Sequence, residues 1–368
     1  MKIAFVLSNY PWMPTGGVRV IYEYANRLAA RGHEVSLVHP RYMRNWAAPK
    51  NWVGHVRRRL GSLRNLIFRP RFVWQPVDPR VRLLFVPEPT GPHIPDGDAV
   101  FATAWETAEY VIDYPASKGE KFYTLQHHEV WNGPSSRVDA TWRMPFKKVV
   151  IAKWLFEKGL ELGASPSDMA LIGNGINFDR FRVIRNIEQR PKRVAMMYHT
   201  LDWKGSPEGI EALEIARSRH SDLQAVLFGV FRRPRFLPSW IEYRYNPSQR
   251  ELVDEIYNGS RIYLCSSWLE GWALPPAEAM ACGCAVVTTE CRGVNEFLQQ
   301  GETGLLSPIR DPYGMAENLI RLLEDDALRV RLAKSGHGEI RKHTWEKSTD
   351  LLEAFLMGSG KIKLSGSR

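Results

Sequence analysis

Short apolar runs separated by segments of helical spacing recur from the first residues to Thr289. That alternation points to parallel sheets with helices on their faces, not to an all-helical or all-β chain. Lys2 to Ser8 reads as a first strand. Val18, Ile21, Tyr22, Ala25, Leu28 and Ala29 then recur at helical spacing, and Gly32 stops that helix ahead of a second strand from Glu34 to Val38. Further strands are expected from Arg82 to Val86, Ala99 to Thr103, Phe122 to Leu125 and Lys148 to Ala152, which complete a Rossmann-like domain. A second series runs from Arg193 to Met197, Leu223 to Phe228, Arg261 to Cys265 and Ala285 to Thr289. Between the two series lies the charged stretch Asn186 to Pro191, which reads as a linker.

At 368 residues the chain is too long for one ordinary core and comfortable for two. The expected division is an N-terminal domain over 1–185, a linker over 186–191 and a C-terminal domain over 192–345. A last helix with a basic tail, 346–368, returns toward the first domain. The class is α/β, with two Rossmann-like domains facing across a cleft, because ligands of open α/β sheets bind beyond the carboxyl ends of the strands.

Composition narrows the classes further. Hydrophobic residues make up 44% and charged residues 24%, as in a soluble globular protein, and no run of eighteen apolar residues exists to span a bilayer as a helix. The apolar start from Ile3 to Leu7 is too short for a signal peptide, so a cytoplasmic location is expected. Cys265, Cys282, Cys284 and Cys291 fall close together, but no CxxC pair or nearby His completes a zinc set. They read as reduced, packed thiols, and no metal or other cofactor is expected.

The chemistry concentrates in the segment from Ser267 to Gly283. Pro275 or Pro276 suits a first helical position, Ala277 to Cys282 is helix-forming, and Gly283 suits the left-handed stop. Such a helix start offers unpaired N–H groups to a phosphate, while Glu270 and Glu278 can accept hydrogen bonds from sugar or ribose hydroxyls. A capped helix carrying surface glutamates explains either residue alone equally well. In the loop after the first strand, Gly16-Gly17 permits close backbone approach to a ligand, though most such pairs are only turns. Lys204, between a strand and a helix expected from about Ser206 to Arg217, can set a point charge against a diphosphate; a solvated lysine is the plainer alternative.

The run Glu270-Gly271-Trp272-Ala273-Leu274-Pro275, then Glu278 to Gly283, then the strand Ala285-Val286-Val287, closely resembles the E-x7-E signature of retaining glycosyltransferase family 4, whose fold is the two-domain GT-B type. The likeness continues through Gly301, Gly304-Leu305-Leu306 and Pro308. It implies that Glu270 holds the donor sugar, Glu278 the ribose, and Gly271, Trp272, Ala273 and Leu274 the donor's surroundings. By the same resemblance Gly16 and Gly17 meet the diphosphate, Asn174 lies in a segment similar to the family's "NGID…F", and His127, favoured over His128, contacts the sugar near its anomeric carbon. The catalytic set it implies is Glu270, Lys204 and His127. One position departs from the pattern. His199 stands where the family has an Arg, and a neutral His offers neither permanent charge nor a bidentate fork. Either Lys204 serves alone, or His199 donates a single bond, or activity is low.

The formal charge of +10 is uneven. From Arg41 to Arg82 there are eleven Lys or Arg and one acid, Asp78, interleaved with aromatics. With no helix-turn-helix, zinc finger or RNP pattern beside it, this stretch is expected to meet an anionic membrane surface and not nucleic acid. The chain would then rest as a peripheral protein at the membrane's inner face. The resulting expectation is metal-independent, retaining transfer from a nucleotide sugar to a hydroxyl acceptor, a glycan or lipid-linked precursor. The alternatives are a GT-B-shaped binding or scaffold protein with weak or lost turnover, and a basic adaptor with no sugar site.

Overall fold

A computed structural model describes residues 1–10, 12–44, 74–131 and 133–358. Most of the basic stretch expected at a membrane, 45–73, and the tail 359–368 lie outside the described residues. The chain divides into two compact units: Met1–Gly173 together with the chain from Trp345, and Asn174–Thr344.

The first unit is built on seven parallel strands: β1 (Lys2–Val6), β2 (Glu34–Pro40), β3 (Arg82–Val86), β4 (Ala99–Ala102), β5 (Glu120–Leu125), β6 (Lys147–Val150) and β7 (Met169–Leu171). Their order across the sheet is β3-β2-β1-β4-β5-β6-β7. Helices on both faces explain why a strand such as β4, Ala-Val-Phe-Ala, is buried at every residue. The second unit holds β8 (Arg193–Met197), β9 (Gln224–Gly229), β10 (Ile241–Tyr245), β11 (Ile262–Cys265), β12 (Ala285–Thr289) and β13 (Leu305–Ser307), in the order β10-β9-β8-β11-β12-β13. All its registers are parallel as well.

Both sheets grow outward in two directions from their first strand. Between β1 and β4, and again between β8 and β11, the connections leave to opposite faces, and a crevice opens at the carboxyl edge. The strands expected from the sequence are present within two residues at either end; β7, β10 and β13 are additional.

The helix Trp345–Leu356 belongs to the first unit and packs on the helix Gly16–Ala30. Trp345 meets Tyr24 edge to face at 5.3 Å, Phe355 meets Phe122 at 5.8 Å, and Glu353 accepts from His33 Nε2 at 2.8 Å. Its start is tied by Ser348 Oγ, which donates to Gly173 O at 2.6 Å.

The first unit ends at Gly173, earlier than the 185 expected, and the stretch read as a linker is structural. Ile184 N donates to Asn258 Oδ1 at 2.9 Å, and Asn258 Nδ2 donates back to Arg182 O at 3.0 Å. The buried guanidinium of Arg190 reaches Ser260 O at 3.2 Å, Asn258 Oδ1 at 3.0 Å and Cys282 O at 2.6 Å. Charge made this segment look like solvated chain, yet its most consequential charge is desolvated and spent on backbone carbonyls.

In the first unit, His39 on β2 is fully buried. Its Nδ1 faces the Asn9 carbonyl at 3.2 Å and so carries the proton, leaving Nε2 to accept from the Tyr22 hydroxyl at 2.9 Å. Burial pushes its pKa down to about 4. Between that value and the ordinary one of about 6.5 the unfolded chain takes a proton that the fold refuses, so stability falls as pH drops through this window. Unfolding titrations should show the wild type losing about 1.4 kcal/mol per pH unit there relative to His39→Leu. Parallel curves for the two proteins would refute this.

Candidate functional site

The two acidic and basic side chains singled out in the second unit meet at the sheet's switch point. Lys204 follows β8 and Glu270 follows β11, neighbours in the sheet, and Lys204 Nζ lies 2.7 Å from Glu270 Oε1. Ser267 Oγ donates to the same carboxylate oxygen at 2.7 Å. Burial draws the Lys204 ammonium down and the Glu270 carboxylate more than offsets this, so its pKa stands above the ordinary lysine value. At neutral pH the site therefore holds a fixed cation.

The backbone leaves that cation little freedom. Gly205 ends the short 3-10 turn Asp202–Lys204 with φ +59°, and a Cβ there would lie 1.9 Å from Ser266 O. Only glycine permits the two loops to approach this closely. Ser266 Oγ donates to Lys204 O at 3.1 Å, and Trp268 N donates to Trp203 O at 2.7 Å. The Trp268 indole is clasped further: Nε1 reaches Glu208 Oε1 at 3.1 Å, and the Arg310 guanidinium lies 3.9 Å over the ring.

His199 adjoins this pair. Burial, reinforced by the Lys204 ammonium and opposed by Glu270, lowers its pKa to about 4. It is neutral at pH 7, and its Nδ1 accepts from Leu201 N–H at 3.0 Å. The proton then sits on Nε2, which makes His199 a single-bond donor. Its own backbone N–H is held by Ser206 Oγ at 3.0 Å and its ring meets Phe231 edge to face at 4.9 Å.

The helix after Glu270 runs Leu274–Ala281, so Leu274 takes the first position and Pro275 and Pro276 the second and third, one residue later than expected and still within the first turn, where proline is tolerated. Ala273 precedes it in the left-handed region at φ 55°, ψ 63°, and no side chain caps the helix. A non-glycine residue there costs of order 1–3 kcal/mol, so surrounding contacts impose the conformation. Glu270 N donates to Cys291 O at 2.9 Å, and a Cβ on Gly293 would lie 2.8 Å from Glu270 O and from Gly271. Glu278, 4% exposed, accepts from the Tyr257 hydroxyl at 3.2 Å. Gly283 closes the segment at φ +81°.

Other residues expected at the donor site lie differently. The Trp272 indole is interior, 4.9 Å from Phe297 and 5.7 Å from His343, so only its backbone is available to a ligand. Gly271 and Ala273 are buried and Leu274 half-buried. Asn174, 2% exposed, opens the second unit and shares no hydrogen bond with Lys204 or Glu270 among the described residues.

In the first unit Gly16 and Gly17 begin the helix Gly16–Ala30, whose preceding Thr15 makes no side-chain cap. Gln126 Nε2, after β5, donates to Gly17 O at 3.0 Å. A Cβ on Gly17 would meet nothing closer than 3.5 Å, an ordinary contact, so the chain itself does not demand glycine there. His127 and His128 diverge. His127 sits edge-on to Trp131 at 4.4 Å and Trp154 at 5.6 Å, whereas His128 Nε2 is tied to Asp139 Oδ1 at 2.7 Å.

Sequence reasoning passed over Ser267, Tyr257 and Gln126, which orient Glu270, Glu278 and the Gly17 carbonyl. Ser267 had a signal, its place three residues before Glu270. Tyr257 and Gln126 had none, since their partners are 21 and 109 residues away. Among the described residues no three His, Cys, Asp or Glu side chains converge as a metal site.

The two parallel-sheet units, each with its candidate residues at the carboxyl edge, constitute a fold of the GT-B type. Residues 177–338 match the family model described as glycosyl transferases group 1. Anabaena HepE in complex with UDP and glucose superposes on 97% of this chain and 100% of its own, with TM-score 0.69 at 13% identity. The D-inositol 3-phosphate glycosyltransferase of Salinispora tropica is 30% identical over 152 residues, 41% of this chain and 29% of its own length. The N-acetyl-alpha-D-glucosaminyl L-malate synthase of Bacillus anthracis is 24% identical over 206 residues, 55% of this chain and 48% of its own. The chain thus spans about half or less of the length of these curated relatives.

Proposed function

We propose that this chain is a retaining, metal-independent glycosyltransferase that moves a sugar from a nucleoside diphosphate sugar to a hydroxyl acceptor. The observation that carries the reading is the largely buried Lys204–Glu270 pair at the switch point of the second sheet. As the bond to the diphosphate breaks, negative charge grows on the leaving group, and a cation already fixed in a dry site stabilises it without reorganisation. Lys204 supplies that charge, the start of Leu274–Ala281 adds its positive dipole end and the Leu274 N–H, since Pro275 and Pro276 have none, and His199 Nε2–H adds one neutral bond. Glu270 accepts from the donor sugar's hydroxyls and Glu278 from the ribose; in the first unit the family resemblance implies that His127 serves the sugar and the Gly16-Gly17 backbone the phosphates.

The test is a thermal-shift screen of UDP, GDP, dTDP and ADP, followed by transfer from the matching labelled donor. A nucleotide at one hundred times its dissociation constant should stabilise the protein by roughly 2.7 kcal/mol. No shift with any of the four would overturn the reading. Binding without transfer or donor hydrolysis would leave a nucleotide-sugar-binding protein instead.

We further propose that the acceptor is lipid-linked and met at an anionic membrane surface, on the strength of the basic and aromatic composition of 41–82. The protein should co-sediment with phosphatidylserine vesicles at low salt and be released at high salt. Failure to sediment at low salt would remove this extension and leave the transferase reading standing.

A further inference from the structure

The connection from β9 to β10 is built unlike its neighbour. Adjacent parallel strands need a crossover over the face of the sheet, and β8 reaches β9 through the helix Ser206–Arg219. The eleven residues 230–240 join β9 to β10 with no helix at all. Two consecutive turns shape their path: Leu237 N donates to Pro234 O at 3.2 Å, and Ile241 N to Pro238 O at 3.1 Å. The Arg233 guanidinium locks the turns together, with Nη1 donating to Ile241 O at 2.9 Å and Nη2 to Pro238 O at 3.0 Å and Leu237 O at 3.2 Å. The Tyr243 hydroxyl fixes the entry by donating to Phe231 O at 2.5 Å.

The braced crossover has an inner and an outer side. Leu237 is buried in the core of the second unit, and Phe231 and Trp240 pack against that core. Arg235 and Phe236, the two central residues of the first turn, are left outside, Phe236 with 65% of its surface exposed. Arg232 is exposed as well. Among the described residues neither Arg232 nor Arg235 makes an ion pair, and no Asp or Glu occurs in 223–241. A lone surface phenylalanine is ordinary, but one at the apex of a rigid turn beside unpaired guanidiniums suits the boundary between water and an anionic bilayer.

We propose that the 230–240 crossover is a membrane-docking element, in which Phe236 enters the headgroup layer of an anionic bilayer while Arg232 and Arg235 meet lipid phosphates. This extends the membrane reading above to residues of the other unit and does not depend on sugar transfer. Charge complementarity selects the surface, each arginine close to it raising partitioning about fivefold. The exposed ring favours lipid over a soluble polyanion, which offers it no apolar layer to enter. Because the Arg233 bonds already order the loop, insertion immobilises little further chain and loses little of that gain.

The experiment measures partitioning of the full chain onto mixed phosphatidylserine–phosphatidylcholine vesicles at low salt, for the wild type, Phe236→Ser and Arg232→Gln/Arg235→Gln. The replaced side chains are exposed and hold no partner, so the urea midpoints should match the wild type. Partitioning should fall about fivefold for Phe236→Ser and about twentyfold or more for the arginine pair. The four native cysteines are buried, so a polarity-sensitive fluorophore can be placed selectively at Phe236→Cys. It should brighten with the mixed vesicles and not with phosphatidylcholine alone. Either variant partitioning like the wild type, or no brightening at 236, would overturn the proposal and leave the 41–82 reading standing; a loss confined to the arginine pair would mark a site for a soluble polyanion instead. A wild type that does not partition at all would remove both membrane readings and leave the transferase reading untouched.

Discussion

Lys204→Met lowers sugar transfer by about 10²–10³-fold, the cost of removing one preorganised group aimed at developing charge. The same change weakens the fold, for a reason specific to this site. Lys204 and Glu270 keep 19% and 10% of their side-chain exposure, so removing the ammonium strands a largely buried carboxylate. Breaking such a pair from one side costs about 3–5 kcal/mol, and the residual exposure places this one at the lower end. Ser267 Oγ still donates to Glu270 but carries no charge to replace the lysine. The double variant Lys204→Met/Glu270→Gln has no stranded ion, and its urea midpoint should return most of the way to the wild type while transfer stays at or below the level of the single variant. Stability and activity then separate within one pair. A single variant that transfers within threefold of the wild type, or a double variant no more stable than either single one, would refute the assignment.

How much of this was legible in the sequence follows from which forces are local. Central strands of a sheet covered on both faces read as continuous apolar runs, so β4, β8, β11 and β12 announce themselves. The edge strand β10, Ile-Glu-Tyr-Arg-Tyr, buries only its first residue fully and was passed over. The helix Leu274–Ala281 was legible because proline and glycine punctuate it, and Glu270 and Lys204 were legible as residue types at a helix start and a strand end. Their contact was not, because it spans 66 residues and exists only where β8 and β11 lie side by side. The state of His199 was likewise hidden. Its neutrality comes from burial beside Lys204, and its tautomer from the Leu201 N–H. Trp272 shows the converse, a residue marked by its neighbours in the sequence whose ring the fold uses as core.

Arg190→Met destabilises the second unit by about 4 kcal/mol or more, among the largest effects a single substitution gives. Nothing in the charged run from Asn186 to Pro191 distinguishes this arginine, yet it is 2% exposed. It is held by oxygen atoms that bear no formal charge: Nη1 reaches Ser260 O at 3.2 Å and Tyr257 O at 3.4 Å, and Nη2 reaches Arg185 O at 3.1 Å, Asn258 Oδ1 at 3.0 Å and Cys282 O at 2.6 Å. Burial lowers its pKa from the ordinary arginine value, so the fold bears a desolvation cost that only these bonds offset. Methionine matches the apolar stem and removes every donor, which leaves Cys282 O unmet and Ser260 O with only the Cys284 thiol, at about 1–3 kcal/mol each, while Tyr257 O and Asn258 Oδ1 keep other donors. The loss reaches the candidate site by a short route. Cys282 caps the helix that carries Glu278, and Tyr257 supplies the hydroxyl that Glu278 accepts from. Arg190→Lys retains the charge but not the planar fork, and one ammonium cannot serve five acceptors, so it should recover a minor part of the stability. Urea unfolding of the three proteins, read beside UDP affinity, decides the matter. An Arg190→Met protein within 1 kcal/mol of the wild type would show that these carbonyls are met by water and that the guanidinium is dispensable.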